Sequence, residues 1–204
     1  MSDSSPANTR LPRGERRTQL LHAARAVFVE RGYHAAAMDE IAERAGVSKP
    51  VLYQHFPGKL ELYVALVDEQ ADSLVRRVRE AIESSEDNKT RVFNTLAAYF
   101  DFVDAEGEAF RLIFESDLRS EPAARDRVER AYRECTNVIC ENISASTGAN
   151  RAQAELLAVG LAGAAELGAR HWLEQRRNVP KREAVELLAA LTWRGISNFP
   201  IQDS

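Results

Sequence analysis

Cysteine is nearly missing from this chain of 204 residues: there are two, Cys135 and Cys140. Five positions apart in a helical stretch, they fall on different faces, so they read as small buried side chains and not as a disulfide. Histidine is sparse as well. The four, His22, His34, His55 and His171, are scattered, and no metal-spaced set of His, Cys and carboxylate accompanies them, so neither a metal nor another cofactor is expected. A phosphate-cradling glycine loop and a nucleophile elbow are absent too, which removes the common catalytic plans and leaves a protein that is not expected to be an enzyme. No apolar run approaches the roughly 18 residues needed to cross a bilayer, and the start, MSDSSPANTRLPRGERR, holds no apolar block of a secretory signal. A cytoplasmic protein with no membrane partner is the expectation. Strand-type alternation, internal repeats and low-complexity tracts are also missing, which leaves an all-α fold.

What is present is an ordinary globular composition, 45% hydrophobic and 28% charged, enough for a sizeable core. The charge is unevenly distributed. Residues 1–60 carry nine Lys or Arg against six Asp or Glu, while the remainder carries 18 against 25, so the net charge of −4 hides a basic head on an acidic body. Such a head confines attraction for phosphates to one end of the molecule.

The most informative stretch is residues 38–59, MDEIAERAGVSKPVLYQHFPGK. Ile41, Ala42 and Ala45 form the apolar stripe of one short helix, and Val47, Leu52 and Phe56 continue the same small core from a second. Gly46 supplies the turn, because without a Cβ it takes the positive φ that ends the first helix. Ala42 keeps the crossing close. Ser48 is placed to cap the second helix through its hydroxyl, and Pro50 falls in the first turn, where a missing N–H costs nothing. The outward face is then Lys49, Pro50, Tyr53, Gln54 and His55, donors and flat groups without a carboxylate. Tyr53, His55 and Lys59 can reach phosphates, Lys49 and Gln54 have the chemistry for base edges, and which of them does so stays open. Arg16 and Arg17, at the start of the preceding helix, either meet phosphates or are solvated. An ordinary helical hairpin would not need the small residue, the turn glycine and the acid-free helix together.

Met38–Lys59 followed by LELYVALVDE resembles the DNA-binding domain of the tetracycline-repressor (TetR) family, most specifically in Val47-Ser48-Lys49-Pro50-Val51-Leu52-Tyr53-Gln54-His55-Phe56 and the following Lys59. The resemblance covers about residues 14–66. It implies a recognition helix at 49–55, phosphate contacts at Tyr53, His55 and Lys59, a homodimer on a two-fold double-stranded DNA operator, and a small-molecule effector, with repression as the expected outcome. Many members carry Thr just before the Asp-Glu-Ile-Ala run. Ala37 and Met38 stand there in this chain, which puts a hydroxyl contact to phosphate in doubt.

Three helices are expected in the head and six in the body: a mobile arm at 1–12, a helix-turn-helix domain at 13–57, and a ligand-binding and dimerisation domain at 58–204. Helix breaks are expected at Gly32, SSEDN (84–88), Gly107, Thr147-Gly148 and Pro180, with Phe110–Leu118 as a short helix of its own and Asn150 with Gln153 as a capping box. Between Ala154 and Trp172 small residues crowd together, and Gly160, Ala164 and Gly168 share a stripe. With Leu157, Leu161, Leu188 and Leu191 they form either a dimer interface or a close packing inside one chain, and the resemblance favours the dimer. The body also concentrates aromatic residues. Ile82, Leu96, Tyr99, Phe100, Val103, Phe110, Phe114 and Trp172 are candidates for lining an apolar effector cavity, the other reading being plain core. SKPVLYQHF, FRLIFESDL and ARHWL are similar to a branch of the family that regulates fatty-acid synthesis genes and senses long-chain acyl-CoA, which would bring Arg111, Arg119 or Arg170 toward its phosphates. The rival reading is a helical lipid carrier without sequence-specific DNA binding.

Overall fold

The computed structural model describes residues 11–114, 121–175 and 177–197, without the side chains of 106–114, 196 and 197. The described residues are helical with no strand. There are eight helices: α1 (Arg13–Ala35), α2 (Met38–Arg44), α3 (Lys49–His55), α4 (Lys59–Glu83), α5 (Asn88–Phe114), α6 (Pro122–Thr147), α7 (Arg151–Glu174) and α8 (Lys181–Ser197). The body therefore has five described helices where six are expected from the sequence. The difference lies at Gly107, which does not break α5; a single helical glycine costs only about 1 kcal/mol, less than a run of 27 residues recovers by packing. Of the expected short helix Phe110–Leu118, residues up to Phe114 continue α5 and 115–118 lie outside the described residues.

The chain forms two compact units, residues 1–66 and 67–204, and α4 belongs to both. In the first, Leu20, Ala24, Val27 and Phe28 of α1 are fully buried, as are Ile41, Leu52 and, nearly so, Phe56. Phe28 anchors this core, its ring edge-on to Tyr63 at 5.7 Å and tilted to Tyr33 at 5.8 Å. Gly32 takes φ +74° and interrupts the helical path of α1 three residues before its end, while Gly46 takes φ +64° between α2 and α3. Both are conformations that a Cβ would strain.

In the second unit α6 packs on α7, and α5 lies against α7 and α8. A seam of Ala154, Ala158, Ala162, Ala165 and Ala169 turns inward along α7, so its neighbours approach closely. The capping box is present: Asn150 Oδ1 accepts from the Gln153 amide at 3.1 Å, and Gln153 Oε1 from the Asn150 amide at 3.0 Å. Charged ties cross the helix contacts. Arg130 on α6 reaches Asp68 at 2.8 Å and Asp72 at 2.9 Å on α4, and Lys181 at the start of α8 reaches Asp101 and Asp104 of α5, both at 2.9 Å. The Lys181 ammonium holds the Asp104 carboxyl below its usual range. Trp172 Nε1 donates to Val179 O at 2.7 Å, closing the turn between α7 and α8.

Candidate DNA interface and effector cavity

The turn before α3 is made by main-chain bonds. The Gly46 amide donates to Glu43 O at 2.9 Å and the Val47 amide to Ala42 O at 3.0 Å, turning the chain within three residues. Gln19 of α1 locks it from outside by donating to Ala45 O at 2.9 Å, and Arg16 donates to the Gln19 amide oxygen at 2.7 Å. That tie is invisible in the sequence, where Gln19 is one polar residue among several. Ser48 opens α3 with extended backbone but makes no side-chain cap; its carbonyl accepts from Val51 and Leu52 instead, leaving the hydroxyl outward. With Leu52 turned fully inward, Ser48, Lys49, Pro50, Tyr53 and Gln54 are exposed together, Tyr53 at 46%. They form one continuous face.

The cations around that face differ in how they are held. Arg17 lies over the Phe56 ring at 4.5 Å, which fixes its direction, and Lys49 pairs with Asp39 at 2.5 Å across two exposed side chains, a contact worth little against a phosphate. His55 is half-buried, and burial followed by the fields of Arg13, Arg17 and Arg16 holds its imidazole below the ordinary range. Lys59 is committed elsewhere. Its ammonium donates to Tyr33 O at 2.8 Å, His34 O at 3.1 Å and Ala36 O at 2.9 Å, and lies 4.7 Å from the Tyr33 ring centre. All three donors of an ammonium are thereby used to close the end of α1.

Two cavities stand out among the described residues of the body. The larger, about 680 Å³, has apolar walls that include Ile82, Leu96, Ile139, Ile143, Leu157 and Leu161. Its rim is polar: Asn88, Arg91, Ser146 and Gln153. Arg91 is the one cation in its lining among the described residues; it is steadied by Ser85 O at 2.5 Å and Asn88 Oδ1 at 3.1 Å and pairs with the exposed Glu86, which is not part of that lining, at 3.2 Å. The smaller cavity, about 300 Å³, is walled by Leu74, Tyr99, Phe102 and Val103 and carries Glu129, Glu166 and Arg133. The candidate ligand residues thus separate: Ile82 and Leu96 face the large cavity, and Tyr99 and Val103 the small one. Phe100 and Trp172 line neither; their rings meet at 5.5 Å, tilted by 50°, between α5 and α7. The Phe110 and Phe114 side chains lie outside the described residues, as do Arg111 and Arg119, and Arg170 pairs with Glu174 on its own helix.

The candidate dimer residues also separate. Leu157 and Leu161 line the large cavity, Ala164 is half-buried, and Gly168 receives the Leu188 side chain, leaving no room for a Cβ; Leu191 alone of the set stands well out, 68% exposed. The outward apolar stripe of α7 lies one residue away, about 100° around the helix, at Val159, Gly160, Gly163 and Leu167. Leu187 and Leu191 of α8 extend the exposed apolar surface.

Comparison with known proteins agrees with this plan. The family model described as bacterial regulatory proteins of the tetR family matches residues 20–66, and that for the Tetracyclin repressor-like C-terminal domain matches residues 88–195. Over 195 residues, 96% of this chain and 89% of the relative, the sequence is 47% identical to the HTH-type transcriptional activator FasR of Mycolicibacterium smegmatis. Among solved structures, a TetR-like transcriptional regulator from Rhodococcus sp. RHA1 superposes with a TM-score of 0.69 at 28% identity, covering 93% of this chain and all of that one. FadR from Bacillus subtilis, solved in complex with stearoyl-CoA, shares the fold with a TM-score of 0.73 at 18% identity over 86% of this chain and 96% of its own. A turn-locked helix pair with an acid-free outer face, joined through α4 to a helical body with an internal cavity, and matched by both family models, makes this chain a member of the TetR family of helix-turn-helix transcriptional regulators.

Proposed function

We propose that the protein is a homodimeric regulator of lipid-metabolism genes whose grip on a two-fold operator is altered by long-chain acyl-CoA. The large cavity carries this reading. Apolar walls suit an acyl chain, and Arg91, the one cation among the described lining residues, suits the phosphates of the coenzyme, which would take the place of the exposed Glu86 on it. The small cavity sets two carboxylates against one arginine and repels an anion, so the head group enters by the Arg91 end. The stearoyl-CoA bound to the structurally similar FadR supports the same ligand class.

Dimerisation follows the outward stripe of α7 and α8 through Leu167, Leu187 and Leu191; a two-fold operator requires the two heads of such a dimer to reach major grooves about 34 Å, or a multiple of that, apart. On the head, Tyr53 and Arg17 position the phosphate backbone while Lys49 and Gln54 face base edges. The sign of regulation follows the relative at 47% identity, whose name is that of an activator, over the repression expected for the wider family.

The test uses a duplex selected from a random pool by the purified protein, with affinity read by fluorescence anisotropy. Palmitoyl-CoA is expected to change the affinity at least tenfold, and CoA or palmitate alone to leave it unchanged. Equal affinity with and without every acyl-CoA tried would overturn the effector. Failure to select any sequence, or an affinity insensitive to salt, would favour a lipid carrier. Transcription in vitro from the selected site distinguishes activation from repression.

A further inference from the structure

The small cavity differs from the large one in the sign of its charge. Three aromatic side chains wall it, Tyr99 and Phe102 from α5 and Tyr132 from α6, and its charged groups are Glu129, Arg133 and Glu166. Two of these offset each other: Arg133 reaches Glu129 at 4.0 Å, and Arg125 adds a second contact to the same carboxylate at 3.7 Å. Glu166 is left over. It stands half-buried on α7, no ion pair or hydrogen bond joins it among the described residues, and Arg170, one turn further on, pairs with Glu174 at 3.7 Å instead.

A carboxylate drawn partly out of water without a partner is unfavourable for the empty protein. Its field falls on the aromatic wall: burial first, and Glu166 second, push the Tyr132 phenol up. Carboxylate and ring therefore lie within electrostatic reach of each other where α6 packs on α7.

This combination selects by charge. The faces of aromatic rings are electron-rich and attract a cation laid against them, and the unmatched carboxylate supplies the counter-charge. An anion is repelled by the same walls, and a neutral molecule gains only apolar contacts. At about 300 Å³ the cavity is small for a ligand site, so the guest is compact. We propose that the small cavity is a second binding site, for a compact organic cation: an ammonium on an apolar body, its charge resting between Glu166 and the Tyr132 ring. The site stands apart from the acyl-CoA reading, which concerns the large cavity and a guest of the opposite charge.

4-Phenylbutylamine, 4-phenylbutan-1-ol and 4-phenylbutyrate share one apolar body and differ in charge, and titration calorimetry of each into the full-length protein at neutral pH tests this. The amine is expected to bind about tenfold more tightly than the alcohol, as one partly screened charge-assisted hydrogen bond provides, and the acid more weakly than either. Glu166→Gln keeps the shape and removes the charge; it should bring the amine down to the level of the alcohol and leave the alcohol unchanged. Tyr132→Leu should weaken the amine about threefold relative to the alcohol through the lost ring face. Arg133→Gln removes the repelling cation and frees Glu129, so it should tighten the amine, a gain that poor folding does not produce. An alcohol that binds as tightly as the amine, an amine indifferent to Glu166→Gln, or no binding of any of the three would overturn the cation site while leaving the acyl-CoA reading of the large cavity untouched.

Discussion

Replacing Lys59 by Met keeps most of the aliphatic stem and removes the ammonium that three carbonyls at the end of α1 share. A hydrogen bond to a charged group contributes about 1.5–3 kcal/mol, but three on one half-exposed ammonium are not additive and are partly screened. A loss of about 2 kcal/mol is expected, which for a chain of this size lowers the melting temperature by roughly 4–8 °C. Operator binding should weaken with it, and the salt dependence says why. A lysine that neutralises a phosphate takes about 0.9 from the slope of log K against log salt when it is removed, whereas a lysine that closes a helix end leaves the slope unchanged. Differential scanning calorimetry and anisotropy at several salt concentrations therefore separate the two roles. An unchanged melting temperature with a slope reduced by one phosphate would refute the structural role and return Lys59 to the contact expected from family resemblance.

Changing Leu167 or Leu191 to Glu places a charge on the outward stripe without touching either cavity, and sedimentation should show a monomer that folds normally but has lost operator affinity; a dimer in both variants would move the interface elsewhere. His55 is held below the ordinary imidazole range in the free protein, so it is neutral at pH 7, and a nearby phosphate favours its charged form. DNA binding should then take up a proton and strengthen as pH falls from 7 into the imidazole range, and His55→Gln should flatten that profile.

The head was readable from sequence because its determinants are local. Gly46, Ala42 and Leu52 lie within eleven residues, and each has a steric job that few side chains can do, so spacing alone locates the turn and α3. What escaped were ties between distant segments: Gln19 to Ala45 O and Lys59 to the end of α1 join residues about 26 apart in sequence, and nothing in residue type marks a lysine as bound to carbonyls and not to phosphate. The face of α7 was harder still. The helix is apolar nearly all round, with alanines inside and leucines and glycines outside, so periodicity does not decide between the stripe of Leu157 and Leu161 and that of Gly160 and Leu167; only contact with α5 and α6 does. The uninterrupted path of α5 through Gly107 has the same origin, since packing overrides a weak local preference.

Trp193 touches the large cavity from the same helix that carries Leu187 and Leu191 on its opposite side, and Lys181 moors the start of that helix to α5. A guest lodged in the cavity and a second protomer outside therefore bear on one rod from two flanks. Whatever free energy one of them spends in shifting the rod appears, with equal size, in the affinity of the other, so the strength of self-association and the hold on the guest are bound to rise or fall as a pair.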